Sequence, residues 1–306
     1  MNGFVSFLEA KFVPVAAKIG SQKHLVAIRD SFAAVMPLIL VGAFAVLLNN
    51  VFFVPWSLLA DPRILGAEHP FIVWTNANVA PLFSLMESGT LSILALALTF
   101  AIGYNRAVAE KKDALSTGLV GVAGFILLGA LSRNNPAVAS WVGNFLGAQG
   151  LFVALIVGLV SAEIYFFIVR KDWTIKMPES VPPAVGRGFA AIIPGFVAIF
   201  VVAIVGYCFN KFAGMNAFTW FETNISGALM ALSQGIVSIT TISFLIPLLW
   251  FFGLHGANML EAVMSPVYGA LGTINIQLYS QGVREVGVAA GQLALSLIHI
   301  SQGIVR

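Results

Sequence analysis

One short segment, LWFFGLHGANML at residues 249–260, combines side chains that could bind a carbohydrate. His255 and Asn258 offer hydrogen-bonding groups, and Trp250 offers a flat apolar face of the kind that packs against a sugar ring. Gly256, and the glycine two positions before the histidine, let the backbone turn sharply or approach a ligand closely. An ionisable group at the end of an apolar run is costly and marks a binding site or pathway. The alternative is an interfacial histidine beside an aromatic belt, and these residues alone do not decide between the two.

Glu163 is a second ionisable side chain inside an apolar run, in the sequence VSAEIYFF. It could serve as a cavity carboxylate or a proton relay. It could also pack between helices, protonated or bonded to a neighbouring helix, and this packing interpretation is favoured. The four histidines are scattered, and the sequence contains no phosphate-binding loop, metal-ligand spacing or Ser-His-Asp arrangement. We therefore expect no cofactor and no bound metal.

Composition indicates that these residues belong to a membrane protein. Of 306 residues, 59% are hydrophobic and only 9% are charged, whereas soluble domains carry about a quarter charged residues. Apolar runs of about 18 residues or more, the length that crosses a bilayer, recur along the chain. The only cysteine, Cys208, cannot form a disulfide within one chain. The basic residues fall between the apolar runs, so nucleic-acid binding has no support.

The apolar runs predict an all-α fold, a polytopic transmembrane helical bundle of about six to seven spans. An amphipathic segment precedes the first span, and a re-entrant or broken segment follows the sixth, over residues 256–282. The second span is short by itself and begins nearer Leu82 in an alternative assignment. Spans are predicted at residues 31–53, 90–104, 114–131, 151–169, 188–209 and 236–252.

The distribution of lysine and arginine predicts the orientation of these spans. The N-terminal segment, the loop after the second span and the loop after the fourth hold four, three and four of them, whereas each loop on the other side holds one. We expect the basic side, with the N-terminus, to be cytoplasmic. The predicted organisation is an interfacial segment at 1–30, a five-span domain at 31–211, an amphipathic linker at 212–235, the start of a sugar-binding transmembrane domain at 236–292 and a tail at 293–306.

Four stretches in this chain are not generic membrane sequence. They are KIGSQKHLVAIRDSFAAVMPLILVGA at 18–43, GAQGLFVALIVGLVSAEIYFF at 147–167, TIKMPESVPPAVGRGFAAIIPG at 174–195 and LWFFGLHGAN at 249–258. In the same order, they resemble the lactose/cellobiose (diacetylchitobiose) family of phosphotransferase-system membrane permeases, the IIC components. The resemblance covers nearly the whole chain to about residue 292.

The resemblance implies a sugar-translocating subunit of a phosphoenolpyruvate-dependent phosphotransferase system. Such a subunit carries a β-linked disaccharide of the cellobiose, chitobiose or lactose type inward, while a partner IIB protein, itself supplied by IIA, phosphorylates the sugar at C6. On this resemblance His255 is the catalytic residue, which hydrogen-bonds or deprotonates the C6 hydroxyl, and Trp250, Gly256 and Asn258 bind the sugar with it. The resemblance also implies a homodimer, formed by the N-terminal half, in the bacterial plasma membrane.

The end of the chain departs from the family pattern. The family carries further spans and a second motif with a sugar-binding glutamate, and neither Glu261 nor Glu285 stands in such a motif. The final residues, LSLIHISQGIVR, fit no family pattern, so we expect a C-terminally truncated chain with a non-native tail at 293–306. Two other functions stay open: a proton-coupled secondary sugar transporter that uses His255 or Glu163 as a relay, and a non-transporting membrane fragment.

Overall fold

The computed structural model describes residues 14, 18, 21–55, 57–130, 145–147, 150–178, 180–215, 217–221, 224 and 236–251. Within these ranges the chain forms nine α-helices joined by turns and short 3₁₀ or π segments. In chain order the helices are α1 (Lys23–Leu48), α2 (Pro70–Asn78), α3 (Ala80–Ser88), α4 (Leu94–Ala109), α5 (Ala114–Ala130), α6 (Leu151–Arg170), α7 (Pro183–Cys208), α8 (Ala217–Phe221) and α9 (Ile236–Phe251).

The helix ends follow from local chemistry. The N-cap of α1 is Gln22, whose side-chain oxygen accepts a hydrogen bond from the backbone N–H of Leu25 at 2.9 Å. Both α2 and α7 begin with a proline, Pro70 and Pro183, at the position where the missing N–H has no helical partner to lose. The final turn after α7 ends at Gly214, whose φ of 66° lies in the left-handed region that glycine adopts readily.

The prediction of an all-α transmembrane bundle is confirmed. A helix coincides with each predicted span, although α1 begins at Lys23 and so includes the end of the predicted interfacial segment. The second span belongs to a longer helical run that starts at Pro70, well before Leu82. Among the described residues, four runs could cross a membrane by length and composition, and a further apolar helix, Ala114–Gly129, is shorter. The four are Lys23–Ala60, Pro70–Ala109, Leu151–Arg170 and Pro183–Ala213.

Helix α4 lies at the centre of the bundle. It packs against α1, α5 and α6, while α7 packs on α5 and α6. Leu94, Leu98 and Ile102 form one face of α4 at a spacing of four residues, and all three are fully buried. Helices α4 and α5 approach so closely that a Cβ on Gly103 would lie 2.9 Å from the carbonyl oxygen of Thr117. Small residues at such crossings let membrane helices pack backbone to backbone.

The outward faces of the bundle are apolar, as a lipid environment requires. Phe44 on α1 and Phe196 on α7 are exposed by 62% and 66%. The short helix α8 packs on the bundle instead, because Phe218 is fully buried against Phe125 with ring centroids 4.9 Å apart. The beginning of the predicted linker is therefore anchored to the helices that precede it.

Candidate functional site

The residues predicted to bind sugar lie at the end of the described chain or beyond it. Trp250 belongs to α9, and His255, Gly256 and Asn258 lie outside the described residues. Their roles therefore stay predictions. The structure brings a different cluster of charged groups together, at the end of the bundle where α1 begins and where α4 and α6 end. We call this the basic end of the bundle.

Arg106, in the last turn of α4, is buried with only 3% of its surface exposed. Its guanidinium lies 2.9 Å from Oε1 of Glu110 through Nη1 and 2.6 Å from Oε1 of Glu163 through Nη2. The same group lies over the ring of Phe166, 5.4 Å from the centroid. A buried cation is tolerated only when it is paired, and two carboxylates with one aromatic face meet that need.

Glu163, on α6, is surrounded by basic side chains. Besides Arg106, it faces His24 at the start of α1, whose Nε2 lies 3.0 Å from Oε1. Arg170, the last residue of α6, lies 3.6 Å from Oε2. The carboxylate is thus bonded to neighbouring helices, in agreement with the packing interpretation of this residue. Oε1 has two basic partners, and Oε2 faces Arg170.

Glu110 completes the arrangement at the edge of the bundle. Lys23, the first residue of α1, donates from Nζ to Oε1 of Glu110 at 3.1 Å. The hydrogen bond from Arg106, followed by that from Lys23, lowers the pKa of the Glu110 carboxyl group, which lies just beyond the membrane-spanning run of α4. The six residues of this cluster form what we call the basic-end network: Lys23, His24, Arg106, Glu110, Glu163 and Arg170.

The basic-end network joins three helices that are far apart in sequence. The pair of Lys23 with Glu110 spans 87 residues, and the pair of His24 with Glu163 spans 139. Exposed pairs contribute little to stability, whereas the pairs of the buried Arg106 are costly to break. The arrangement therefore acts as a clamp on α1, α4 and α6. Both of its carboxylates, Glu110 and Glu163, take part in ion pairs.

The predicted second span ends at residue 104 and leaves Arg106 in a loop, whereas the structure places it in the last turn of α4. The spacing of Arg106 and Glu110, four residues apart, is typical of an ion pair along one helix face and could have indicated that the helix continues. No local signal connects His24 or Arg106 with Glu163, since their contact depends on how three helices pack.

Two cavities of the described bundle do not suit a sugar. One of about 410 Å³ lies among α5, α6, α7 and α8 and is lined by aliphatic and aromatic side chains. Another of about 540 Å³ lies among α1, α4 and α5, and its polar lining groups are Tyr104 and Asn105. A sugar needs many hydrogen-bonding partners, so we expect its site elsewhere in the chain. Among the described residues, no cluster of three or more His, Cys, Asp or Glu side chains could hold a metal ion.

Comparison with known proteins connects the bundle to one family. The family model described as "Phosphotransferase system, EIIC" matches residues 29–303. The cellobiose-specific EIIC component of Lactococcus lactis subsp. lactis (strain IL1403) is 35% identical, over 94% of this chain and 66% of that protein. The oligo-beta-mannoside-specific EIIC component of Bacillus subtilis (strain 168) is 30% identical, over 88% of this chain and 59% of that protein.

A solved structure shares the same architecture. The transporter ChbC, the IIC component from the N,N'-diacetylchitobiose-specific phosphotransferase system, matches with a TM-score of 0.76 and 31% sequence identity. The match covers 90% of this chain and 63% of ChbC. The chain thus spans about two thirds, or somewhat less, of the length of these relatives.

Proposed function

The chain belongs to the EIIC family of the phosphotransferase system, and on that premise we propose that it is the sugar-translocating membrane subunit of a phosphoenolpyruvate-dependent system. The family match over residues 29–303 is the observation that carries this proposal. The proposed substrate is a β-linked disaccharide, because the relatives are named for cellobiose, oligo-beta-mannosides and N,N'-diacetylchitobiose, and all of these are β-linked.

The proposed sugar site is the segment around His255. Phosphorylation at C6 breaks the phosphorus–sulfur bond to a cysteine of IIB and forms a bond from phosphorus to the sugar oxygen. The proton of the C6 hydroxyl passes to the imidazole, whose pKa range suits a general base near neutral pH. Trp250 packs against the sugar ring, Gly256 lets the backbone approach it, and Asn258 hydrogen-bonds its hydroxyls. The charged product cannot return across the bilayer.

The basic end of the bundle is proposed to face the cytoplasm of a bacterial cell and to receive IIB. The excess of lysine and arginine on this side supports that orientation in the plasma membrane, with the N-terminus inside. The connection between α6 and α7 lies at the same end and exposes Lys171 and Trp173, and Arg187 is exposed near the start of α7. These side chains offer charge and an aromatic surface to a partner. The apolar outward faces of the first helices are consistent with a proposed homodimer through the N-terminal half.

One version of the rival function, a proton-coupled transporter with Glu163 as its relay, has no support from the geometry. A relay must take up and release a proton, and Glu163 has basic groups at both oxygens, Arg106 and His24 at one and Arg170 at the other. A relay through His255 is the version that an experiment has to separate from phosphotransfer.

The test is disaccharide phosphorylation by membranes that contain this chain together with IIA and IIB of its own system. In a host without a β-disaccharide permease, we expect cellobiose or diacetylchitobiose phosphate to form only when phosphoenolpyruvate is supplied. Replacing His255 by alanine should lower the rate by about 100-fold or more, the usual contribution of a general base. The matched control is His69→Asn, because His69 caps α2 through a side-chain acceptor that asparagine can replace.

Each alternative function has its own signature in the same assay. Uptake that needs no IIB and stops when the proton gradient is dissipated identifies a secondary transporter. A chain that inserts into the membrane but neither binds nor phosphorylates a disaccharide contradicts the transport proposal for this polypeptide. Unchanged phosphorylation in His255→Ala keeps the transport proposal but removes the proposed role of the histidine.

A further inference from the structure

Gln22, the N-cap of α1, uses both ends of its side-chain amide. Its Oε1 accepts from the backbone N–H of Leu25 at 2.9 Å, and its Nε2 lies 2.8 Å from Nδ1 of His24. A backbone N–H can only donate, so the amide atom that faces Leu25 must be the oxygen. The atom that faces His24 is therefore the NH2 group. The helix cap thus determines the orientation of the amide.

The orientation of this amide determines where His24 carries its proton. An NH2 group only donates, so Nδ1 must accept with its lone pair and bears no proton. The neutral imidazole then has its proton on Nε2, which lies 3.0 Å from Oε1 of Glu163 and donates to it. His24 in its neutral form therefore links the cap of α1 to α6.

We propose that His24 is a pH-sensitive latch, in which protonation of Nδ1 breaks the bond from Gln22 and uncaps the start of α1. A proton on Nδ1 would face the NH2 group of Gln22 across 2.8 Å, donor against donor. If the amide rotates by half a turn to accept this proton, its NH2 group faces the N–H of Leu25 and the cap is lost. If the side chain swings away instead, the cap is lost as well. The bond from Nε2 to Glu163 persists in both cases and becomes charge-assisted.

Only His24 has to change its charge for the cap of α1 to open. Histidine is the side chain whose charge ordinarily changes between about pH 5 and pH 8. Glu110 stays ionised in this range, because Arg106 and Lys23 lower its pKa. His24 contacts Glu163 of α6, and Glu163 in turn pairs with Arg106 of α4 and Arg170 of α6. Glu110 of α4 pairs with Arg106 and with Lys23, the residue before His24 in α1.

Protons can reach the latch from water. The side chain of His24 is 39% exposed, and Gln22 is exposed at the surface of the basic end. Acidification on this side of the membrane therefore loosens the first turn of α1. The rest of the clamp persists, since Arg106 keeps both of its carboxylates. The effect is local and does not depend on sugar transport.

The test is amide hydrogen exchange of the first turn of α1 at pH 5 and pH 8, on the full chain in lipid nanodiscs. Protection is expressed relative to an unstructured peptide at the same pH, and α6 serves as the internal reference. We expect protection of the Leu25 amide to fall roughly fivefold at the lower pH, the effect of losing one N-cap hydrogen bond. In His24→Gln, which cannot be protonated, the difference between the two pH values should vanish.

A second variant, Gln22→Glu, reverses the expected sign. A carboxylate can accept from the N–H of Leu25 and from a protonated Nδ1 at once, so the cap should tighten as the pH falls. A merely structural cap would not reverse in this way. Equal protection at both pH values in the wild type, or the same sign in Gln22→Glu as in the wild type, overturns the proposal. So does a ¹⁵N spectrum at pH 8 that puts the proton of His24 on Nδ1.

Discussion

Removing the buried guanidinium of Arg106 is expected to destabilise the bundle strongly. Arg106→Met keeps much of the side-chain volume but removes the cation that pairs with Glu110 at 2.9 Å and Glu163 at 2.6 Å. Breaking a buried pair by deleting one partner costs about 3–5 kcal/mol, because the other charge is left unpaired. The two carboxylates are 21% and 34% exposed and can recruit some water, so the loss should lie near the lower end, about 3 kcal/mol.

The matched control is Arg170→Met at the other side of Glu163. Arg170 is 52% exposed and 3.6 Å from the carboxylate, so its loss should cost about 1 kcal/mol or less. The free energy of unfolding is measured by titrating detergent-solubilised protein with SDS and following helicity by circular dichroism. In a double-mutant cycle with Glu163→Gln, the Arg106→Met effect should shrink by about 1–3 kcal/mol, since the stranded charge is then gone.

Two results would refute this reasoning. If Arg106→Met and Arg170→Met destabilise the protein equally, burial does not set the strength of the Arg106 pairs. If the double variant loses the sum of the two single losses, Arg106 and Glu163 do not interact energetically, and their short contact has no role in the clamp.

Two further predictions concern packing and pH. Gly103→Ala should lower the free energy of unfolding by about 1–3 kcal/mol, because the added Cβ would press on the backbone of Thr117 at 2.9 Å. Gly188→Ala has open space around it and should leave that free energy unchanged or raise it by up to about 1 kcal/mol. SDS unfolding compares the two variants, and equal losses would contradict the close crossing of α4 and α5. Because the pKa of Glu110 is lowered from 4.5 in the folded state, its stabilising contribution is present above that value and is lost as the pH falls through the folded-state pKa. Glu110→Gln should therefore melt below the wild type at neutral pH and converge with it in acid, and a constant difference at every pH would contradict the pairing with Arg106.

The helices could be predicted from sequence because crossing a bilayer requires a contiguous apolar length, which is a local property. The predicted span at 151–169 coincides with α6, and the one at 114–131 coincides with α5. The start of α1 was less predictable. Its first turn carries Lys23 and His24, which looks like an interfacial segment until their partners on α4 and α6 are known.

The candidate sugar site shows a different limit. His255 stands out because an ionisable group beside glycines and a tryptophan is unusual in an apolar chain, and the resemblance of its motif to IIC permeases supplies its proposed role. His255 and the glycines lie beyond α9, outside the described part of the chain, so the arrangement of the site stays a prediction. The described bundle contributes a clamp and apolar cavities, and both are consistent with a supporting role for the N-terminal half.

The sequence by itself determined the all-α transmembrane class, the positions of the helices and membership in a family of permeases. The first two follow from the length of contiguous apolar runs, and the third from four sequence motifs in a fixed order. Only the tertiary structure decided that Arg106 is buried and that His24 and Arg106 meet at Glu163. Such pairs depend on the rotation and register of three packed helices. Lys23 and Glu110 are 87 positions apart, and His24 and Glu163 are 139 positions apart, so no local pattern in the sequence indicates that they meet.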